Sequence, residues 1–381
     1  MKKVIFLAIA AAAALTACSK SEVIDSKYGN DMIGFENYLG RDAQTKASVA
    51  NIDVLKGETY AGIGLFGYYT GKDSWKTGEV TVGINPAANL WANQLLKWGV
   101  PSNTELGTEA TWTYSDIRYW TNAVDKYSFL AYAPYNTVTV SDDTDADDLA
   151  ITYKCPISKG GNVDLLYSNN NKNITKGEGI VGLNFQHALA RVTVKAKAST
   201  GAFAFDIKEV SLTGGFITEG TLTLATGTWN SATPLTTNST YTIYSDYSNC
   251  SYTTAENGSK VWDVLGVDYY DYSGNDGDKF LMMIPTNFTD SPATLKIVYT
   301  TIYADQESDN ITKEIKLNNN FEQGNAYSLN IDFSPVLDPI KFSVTVTEWN
   351  SADDTNTGNP ESSNSNWAEP TPEQGGEEAG E

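Results

Sequence analysis

Cys18 is the residue with the clearest chemistry in this chain. It closes the stretch Leu15-Thr16-Ala17-Cys18, behind an apolar run from Val4 to Leu15 and the positively charged start Lys2-Lys3. That order of charge, apolar run and small residue is the pattern of a secretory signal peptide. A cysteine directly after the small residue adds a second meaning: signal peptidase II would cut between Ala17 and Cys18, and the thiol would carry a diacylglycerol. The apolar run is shorter than the ~20 residues that span a bilayer. At ~0.8 kcal/mol per buried CH₂, two or three acyl chains would hold a chain starting at Cys18 on a membrane essentially permanently. An ordinary secreted chain with a cysteine there by coincidence is the bland alternative.

Other reactive side chains are few. His187 is the only histidine, which removes His-based triads, His-Cys dyads and most zinc sites from consideration. On an otherwise apolar strand it reads as a satisfied core or half-buried residue. Cys155 and Cys250 lack metal-ligand spacing, and a disulfide or two buried thiols remain alternatives for them. Asp143, Asp145 and Asp147 have the first spacings of a calcium loop. The turn glycine is missing, however, and Lys154 stands where the bidentate Glu belongs, so an acidic surface loop is expected there and at Asp271–Asp278. No phosphate loop, nucleophile elbow or metalloprotease motif is present. Neither an enzyme nor a cofactor is indicated. Trp75, Trp91, Trp98, Trp112 and Trp120 crowd the first third of the chain, where they either pack a core or form a sugar-stacking platform. The net charge of −21 argues against nucleic acid, because phosphate binding draws on clustered Lys and Arg.

The elements that must position these residues read as strands. Segments such as Ile33–Tyr38, Gly62–Tyr69, Tyr127–Tyr132, Leu183–Leu189, Val192–Ala198, Phe203–Leu212, Ala293–Tyr303, Ile311–Leu317 and Ile340–Glu348 lie between Gly, Asn, Asp or Pro clusters. Many are rich in Val, Ile, Thr and Tyr, which favour a pleated surface. The phase of Leu183, Phe185, His187 and Leu189 is opposite to that of Val192, Val194 and Ala196. A break is therefore expected near Ala190, with the second segment and Phe203–Leu212 forming a hairpin. Leu90, Trp91, Leu95 and Trp98 are spaced for one face of a helix over Ala87–Trp98. The fold class expected is all-β, β-sandwich domains with minor helix.

With 381 residues, the chain exceeds the ~100–150 of a comfortable single core. The expected division is a signal peptide over 1–17, a polar tether over 18–30, an N-terminal unit over 31–200, a C-terminal unit over 201–350 and a tail over 351–381. The tail has eight carboxylates and no Lys or Arg, so it is expected to be disordered.

In order along the chain come the lipobox ending at Cys18; Ile33-Gly-Phe35 before a loop with Thr45-Lys46-Ala47; Trp120 followed by Tyr127-Ser-Phe-Leu-Ala-Tyr-Ala-Pro-Tyr135; Asp164-Leu-Leu-Tyr167; Phe185-Gln-His-Ala-Leu-Ala-Arg-Val192; Phe280-Leu-Met-Met-Ile-Pro285; Phe321-Glu-Gln-Gly-Asn-Ala-Tyr327; and Val344-Thr-Val-Thr-Glu-Trp349. With this set the chain resembles the fimbrillin family, the Mfa-like subunits of type V pili. The resemblance implies two transthyretin-like β-sandwich domains in tandem. It also implies a lipid-anchored, surface-exposed precursor on the outer membrane that enters a pilus after processing. A trypsin-like protease would cut after Lys46, or as second choice Arg41, releasing the strand Ile33–Tyr38. A strand of another pilus subunit would then fill the groove. After Glu348-Trp349 this chain continues with Asn350-Ser-Ala-Asp-Asp-Thr-Asn356 rather than an alternating apolar strand. Either Phe342–Trp349 is donated, or the subunit accepts a strand without giving one, as a tip or accessory subunit would. A glycan or protein of the host or of another bacterium is a candidate ligand. The competing reading is a surface lipoprotein that binds glycans and never polymerises.

Overall fold

The computed structural model describes residues 31–39, 55–56, 62–75, 87–102, 109–141, 148–155, 163–177, 179–198, 204–230, 239–244, 252–254, 260–262, 270–271, 281–288, 293–303, 306–317, 320–333 and 341–348. Among these only Leu55 and Lys56 are helical, and the fold is all-β. The first strands are β1 (Gly34–Leu39), β2 (Ile63–Gly71), β3 (Trp91–Gly99), β4 (Thr111–Thr113), β5 (Lys126–Ala133), β6 (Thr139–Val140), β7 (Ala150–Lys154), β8 (Leu166–Ile174), β9 (Ile180–His187) and β10 (Ala190–Ala198). There follow β11 (Ala204–Gly214), β12 (Glu219–Thr223), β13 (Thr228–Asn230), β14 (Ser239–Tyr244), β15 (Tyr252–Thr254), β16 (Lys260–Trp262) and β17 (Tyr270–Asp271). The last are β18 (Leu281–Met283), β19 (Ala293–Tyr303), β20 (Gln306–Glu307), β21 (Ile311–Leu317), β22 (Asn325–Phe333) and β23 (Lys341–Glu348).

A seven-stranded sheet runs in the order β1-β9-β8-β5-β2-β3-β4. Every pairing in it is antiparallel except that of β1 with β9, which is parallel. Two further sheets, β17-β10-β22-β23 and β14-β11-β19-β20, enclose one core. Val192, Val194, Leu329 and Ile331 from the first meet Val210, Leu212, Leu295 and Ile297 from the second, and alternate residues on each strand point inward as the period of two requires. A fourth sheet, β13-β12-β7-β6, covers another core in which Tyr68, Tyr132, Ile151, Leu222 and Met282 are buried.

The expected break near Ala190 is present. β9 ends at His187 in the seven-stranded sheet, and β10 begins at Ala190 in a different one. The change of sheet lets both phases stay buried: Leu183 and Phe185 in one core, Val192 and Val194 in the other. The hairpin expected between β10 and β11 does not form. β10 pairs with β22, β17 and β18, whereas β11 pairs with β14 and β19. β10, placed by sequence within 31–200, joins the sheet of C-terminal strands. β12, placed within 201–350, pairs with β7.

The helix expected over Ala87–Trp98 is a strand. Trp91 and Leu96 are both buried although they lie an odd number of residues apart. Asn93 is in the left-handed region at φ 55°, and the register between β2 and β3 shifts between Leu65 and Gly67. The extra residue of that bulge moves the inward phase, so a strand acquires a spacing that imitates a helical face.

Candidate functional site

β1 lies at one end of the seven-stranded sheet, and the residues around it form the candidate site. Ile33, Phe35 and Asn37 share a phase and are all buried, whereas Glu36 between them is half-buried. The Phe35 ring meets Trp91, Tyr114 and Phe129 edge-on, with centroids 5.7, 5.8 and 5.6 Å away. Such T-shaped contacts place ring edges against π-faces and add to what burial alone contributes. Val181, Leu183 and Phe185 of β9 complete the wall. Burial of Ile33 and Phe35 stabilises the fold by roughly 1.5–3 kcal/mol each.

The chain on the far side of β1 comes from the other end of the sheet. Trp112 of β4 donates its indole N–H to Asn37 Oδ1 at 2.9 Å, and the Tyr114 hydroxyl donates to the Ile33 carbonyl at 2.5 Å. Met32 bridges Tyr119, the Ile33 N–H reaches the Arg118 carbonyl at 3.0 Å, and the Trp120 N–H reaches the Asp31 carbonyl at 2.7 Å. The sheet therefore curls until its two ends meet, and β1 fills the seam. On the β9 side the Gly34 N–H bonds the Gly179 carbonyl at 3.0 Å, which also accepts from Trp120 Nε1 at 3.2 Å. Gly179 has φ 86°, a conformation that a side chain would strain. Lys176 pairs with Asp31 at the entry of the strand.

Two side-chain nitrogens at the seam are unmet among the described residues, Arg118 Nε and one on Asn37. Asn37 is 5% exposed, and its Nδ2 is buried without a hydrogen-bond partner.

Next to the seam, Asp125 gathers Tyr69 Oη at 2.6 Å, Thr121 Oγ1 at 2.8 Å and Asn122 Nδ2 at 2.6 Å on one carboxylate oxygen. These bonds, the Tyr69 hydroxyl first and Thr121 next, hold the Asp125 carboxyl below its usual value, and the same carboxylate pushes the Tyr69 hydroxyl up. Thr121 and Tyr127 are hydrogen-bonded to each other, so the network fixes the turn that follows Trp120.

The sequence-expected strand Ile33–Tyr38 thus overlaps β1, which begins and ends one residue later. Ala17, Cys18, Arg41 and Lys46 lie outside the described residues, as do Cys250, the carboxylates from Asp142 to Asp147 and the tail. His187 is buried with Nδ1 3.0 Å from Asp164 Oδ1, as a satisfied core residue should be. Cys155 is buried and its thiol donates to the Met282 carbonyl. Trp75, Trp91, Trp112 and Trp120 are buried, and Lys56 lies over the half-buried Trp98 at 4.4 Å, so the core reading of these indoles holds. The sequence reading missed β4. Trp112 and Tyr114, two residues apart, were its available signal.

A family model described as fimbrillin-like matches residues 58–349. The chain belongs to the fimbrillin-like family. It is 27% identical over 132 residues to fimbrium subunit Fim1C of Phocaeicola vulgatus, a match covering 34% of this chain and 30% of that relative's length. The crystal structure of a fimbrial protein from Bacteroides vulgatus superposes with a TM-score of 0.63 at 20% identity, covering 84% of this chain and 100% of that one. That likeness places this member of the family in the same all-β fold. Membership supports a role as a subunit of surface fimbriae.

Proposed function

We propose that this fimbrillin-like chain is a structural or adhesive subunit of a cell-surface pilus, assembled by exchange of its first strand. The precursor is lipidated on Cys18 after cleavage behind Ala17, reaches the outer membrane surface, and is cut after Lys46, or after Arg41. β1 then leaves, and a strand of another subunit takes its place. The observation that carries this reading is the position of β1. It is a terminal strand whose backbone pairs only with β9 among the described strands, in the parallel mode that is slightly weaker per residue. Yet its side chains plug an aromatic slot. Loss of β1 would expose the β9 edge and the pockets of Ile33 and Phe35 together, and an added strand satisfies both.

A tip or accessory place is favoured over a stalk. β23 pairs with β22 along its whole length, from Lys341 opposite Asp332 to Glu348 opposite Asn325, and its own Val344 is buried in the core. Donating Phe342–Trp349 would open this subunit's own sheet, which supports a subunit that accepts a strand without giving one. The indoles of Trp75, Trp91, Trp112 and Trp120 are buried, so they favour no glycan platform.

The test is assembly of the purified mature chain with and without a trypsin-like protease, beside a double variant Arg41→Ala/Lys46→Ala. Protease-dependent association with a strand-donating subunit in the wild type, absent in the double variant, supports the reading. Association that ignores both protease and variant contradicts it.

A further inference from the structure

We infer that the slot reads one polar position of its occupant: the Trp112 indole selects strands that present a side-chain hydrogen-bond acceptor two residues from an aromatic. This inference rests on the strand-exchange reading and specifies the kind of strand that fits, a segment of another pilus subunit carrying Phe, Tyr or Trp and, two positions away, a side chain such as Asn, Ser or Thr.

Three side chains, Phe35 and Asn37 of β1 and Ile33 just before it, point into the slot, and their sites differ in kind. Ile33 and Phe35 enter apolar and aromatic surroundings that any large apolar residue could fill. Asn37 enters a site where the buried Trp112 indole N–H donates to its Oδ1 at 2.9 Å. When β1 leaves, that bond is lost. A wholly apolar strand entering in its place would cover the indole N–H, shut out the water that could replace the bond, and offer no acceptor. Leaving a buried donor unmet costs more than an ordinary bond contributes, so the site discriminates chiefly by penalising wrong occupants.

The resident strand is itself an imperfect occupant. Asn37 satisfies the indole but buries its own Nδ2 without a partner. Covalent attachment keeps β1 in place through its high effective concentration. After a cut in the connecting loop that advantage is gone, and a strand that supplies the acceptor without a stranded donor displaces β1.

The experiment uses the full mature protein nicked by trypsin between β1 and β2, with fluorescent peptides copying residues 30–39. One peptide keeps Asn37 and the other carries Asn37→Leu. The expected result is a preference for the Asn peptide that is larger in the wild-type protein than in Trp112→Phe by about ten-fold, the coupling that one buried hydrogen bond gives. Should Trp112→Phe fail to fold, the Trp112 indole N–H is followed by nitrogen-15 NMR in the wild type. Its proton should resonate downfield under the Asn peptide and upfield under the Leu peptide, as loss of the hydrogen bond requires. Equal discrimination with and without the indole, or the same proton resonance under both peptides, overturns this inference alone. Failure of both peptides to enter the slot overturns the strand-exchange reading and this inference with it.

Discussion

Phe35 is the side chain on which the hold of β1 most depends. Its ring touches three other aromatics, so Phe35→Ala should leave a void that the surrounding rings cannot close, at a cost of about 3–5 kcal/mol. Urea unfolding checks this against Val124→Ala, at an exposed position, which should change stability by no more than about 0.5 kcal/mol. Asp125 gives a pH dependence of fixed sign. Its folded carboxyl titrates below the unfolded value of about 3.9, so its contribution is present above that pH and lost as the pH falls through the folded value. Urea midpoints should therefore fall more steeply below about pH 4 in the wild type than in Asp125→Asn; parallel curves would contradict the role given to the Tyr69 and Thr121 bonds. At this scale the sequence was informative about His187, whose apolar strand neighbours already implied a satisfied buried residue. The bond from Trp112 to Asn37 was not legible, because it joins residues far apart in the chain through a curl of the sheet.

Among the elements, β1 should open before the central strands of its sheet. It has one backbone partner among the described strands, while β5 pairs with β2 and β8 on its two sides. Native-state hydrogen exchange should accordingly show lower opening free energies for the amides shared by β1 and β9 than for those shared by β2 and β5. Equal protection would mean that β1 is no more removable than the centre of the sheet. The start of β2 depends on Gly62, where φ is 109° and a Cβ would lie 2.4 Å from the Leu96 carbonyl oxygen. Gly62→Ala should cost at least about 1–3 kcal/mol, read as a lowered urea midpoint. Strands with plain alternation were legible, and Ala293–Tyr303 and Ile311–Leu317 run where the residue pattern puts them. β3 was not, because its bulge at Asn93 gives Trp91 and Leu96 the spacing of a helix. β8 was hidden by Asn169, Asn170, Asn171 and Asn173, which read as turn residues. In the sheet Asn171 and Asn173 instead bond the backbone of Gly182 and Trp75.

For the molecule as a whole, the proposed function makes the chain a scaffold completed by a strand that need not be its own. Its cores are formed by strands distant in sequence, and the β10–β22 pair joins residues 191–198 to 326–333 in parallel. Such non-local pairing folds slowly and leaves open edges at risk of wrong partners, which a covalently attached β1 would cover until assembly. The measurement that tests this most directly is intact-mass and N-terminal analysis of the protein recovered from assembled surface fibres. A chain beginning at Ala47, or at Asp42 if Arg41 is the site, without lipid and without residues 31–39, is the predicted result. A chain within fibres that still begins at acylated Cys18 and retains β1 would contradict it.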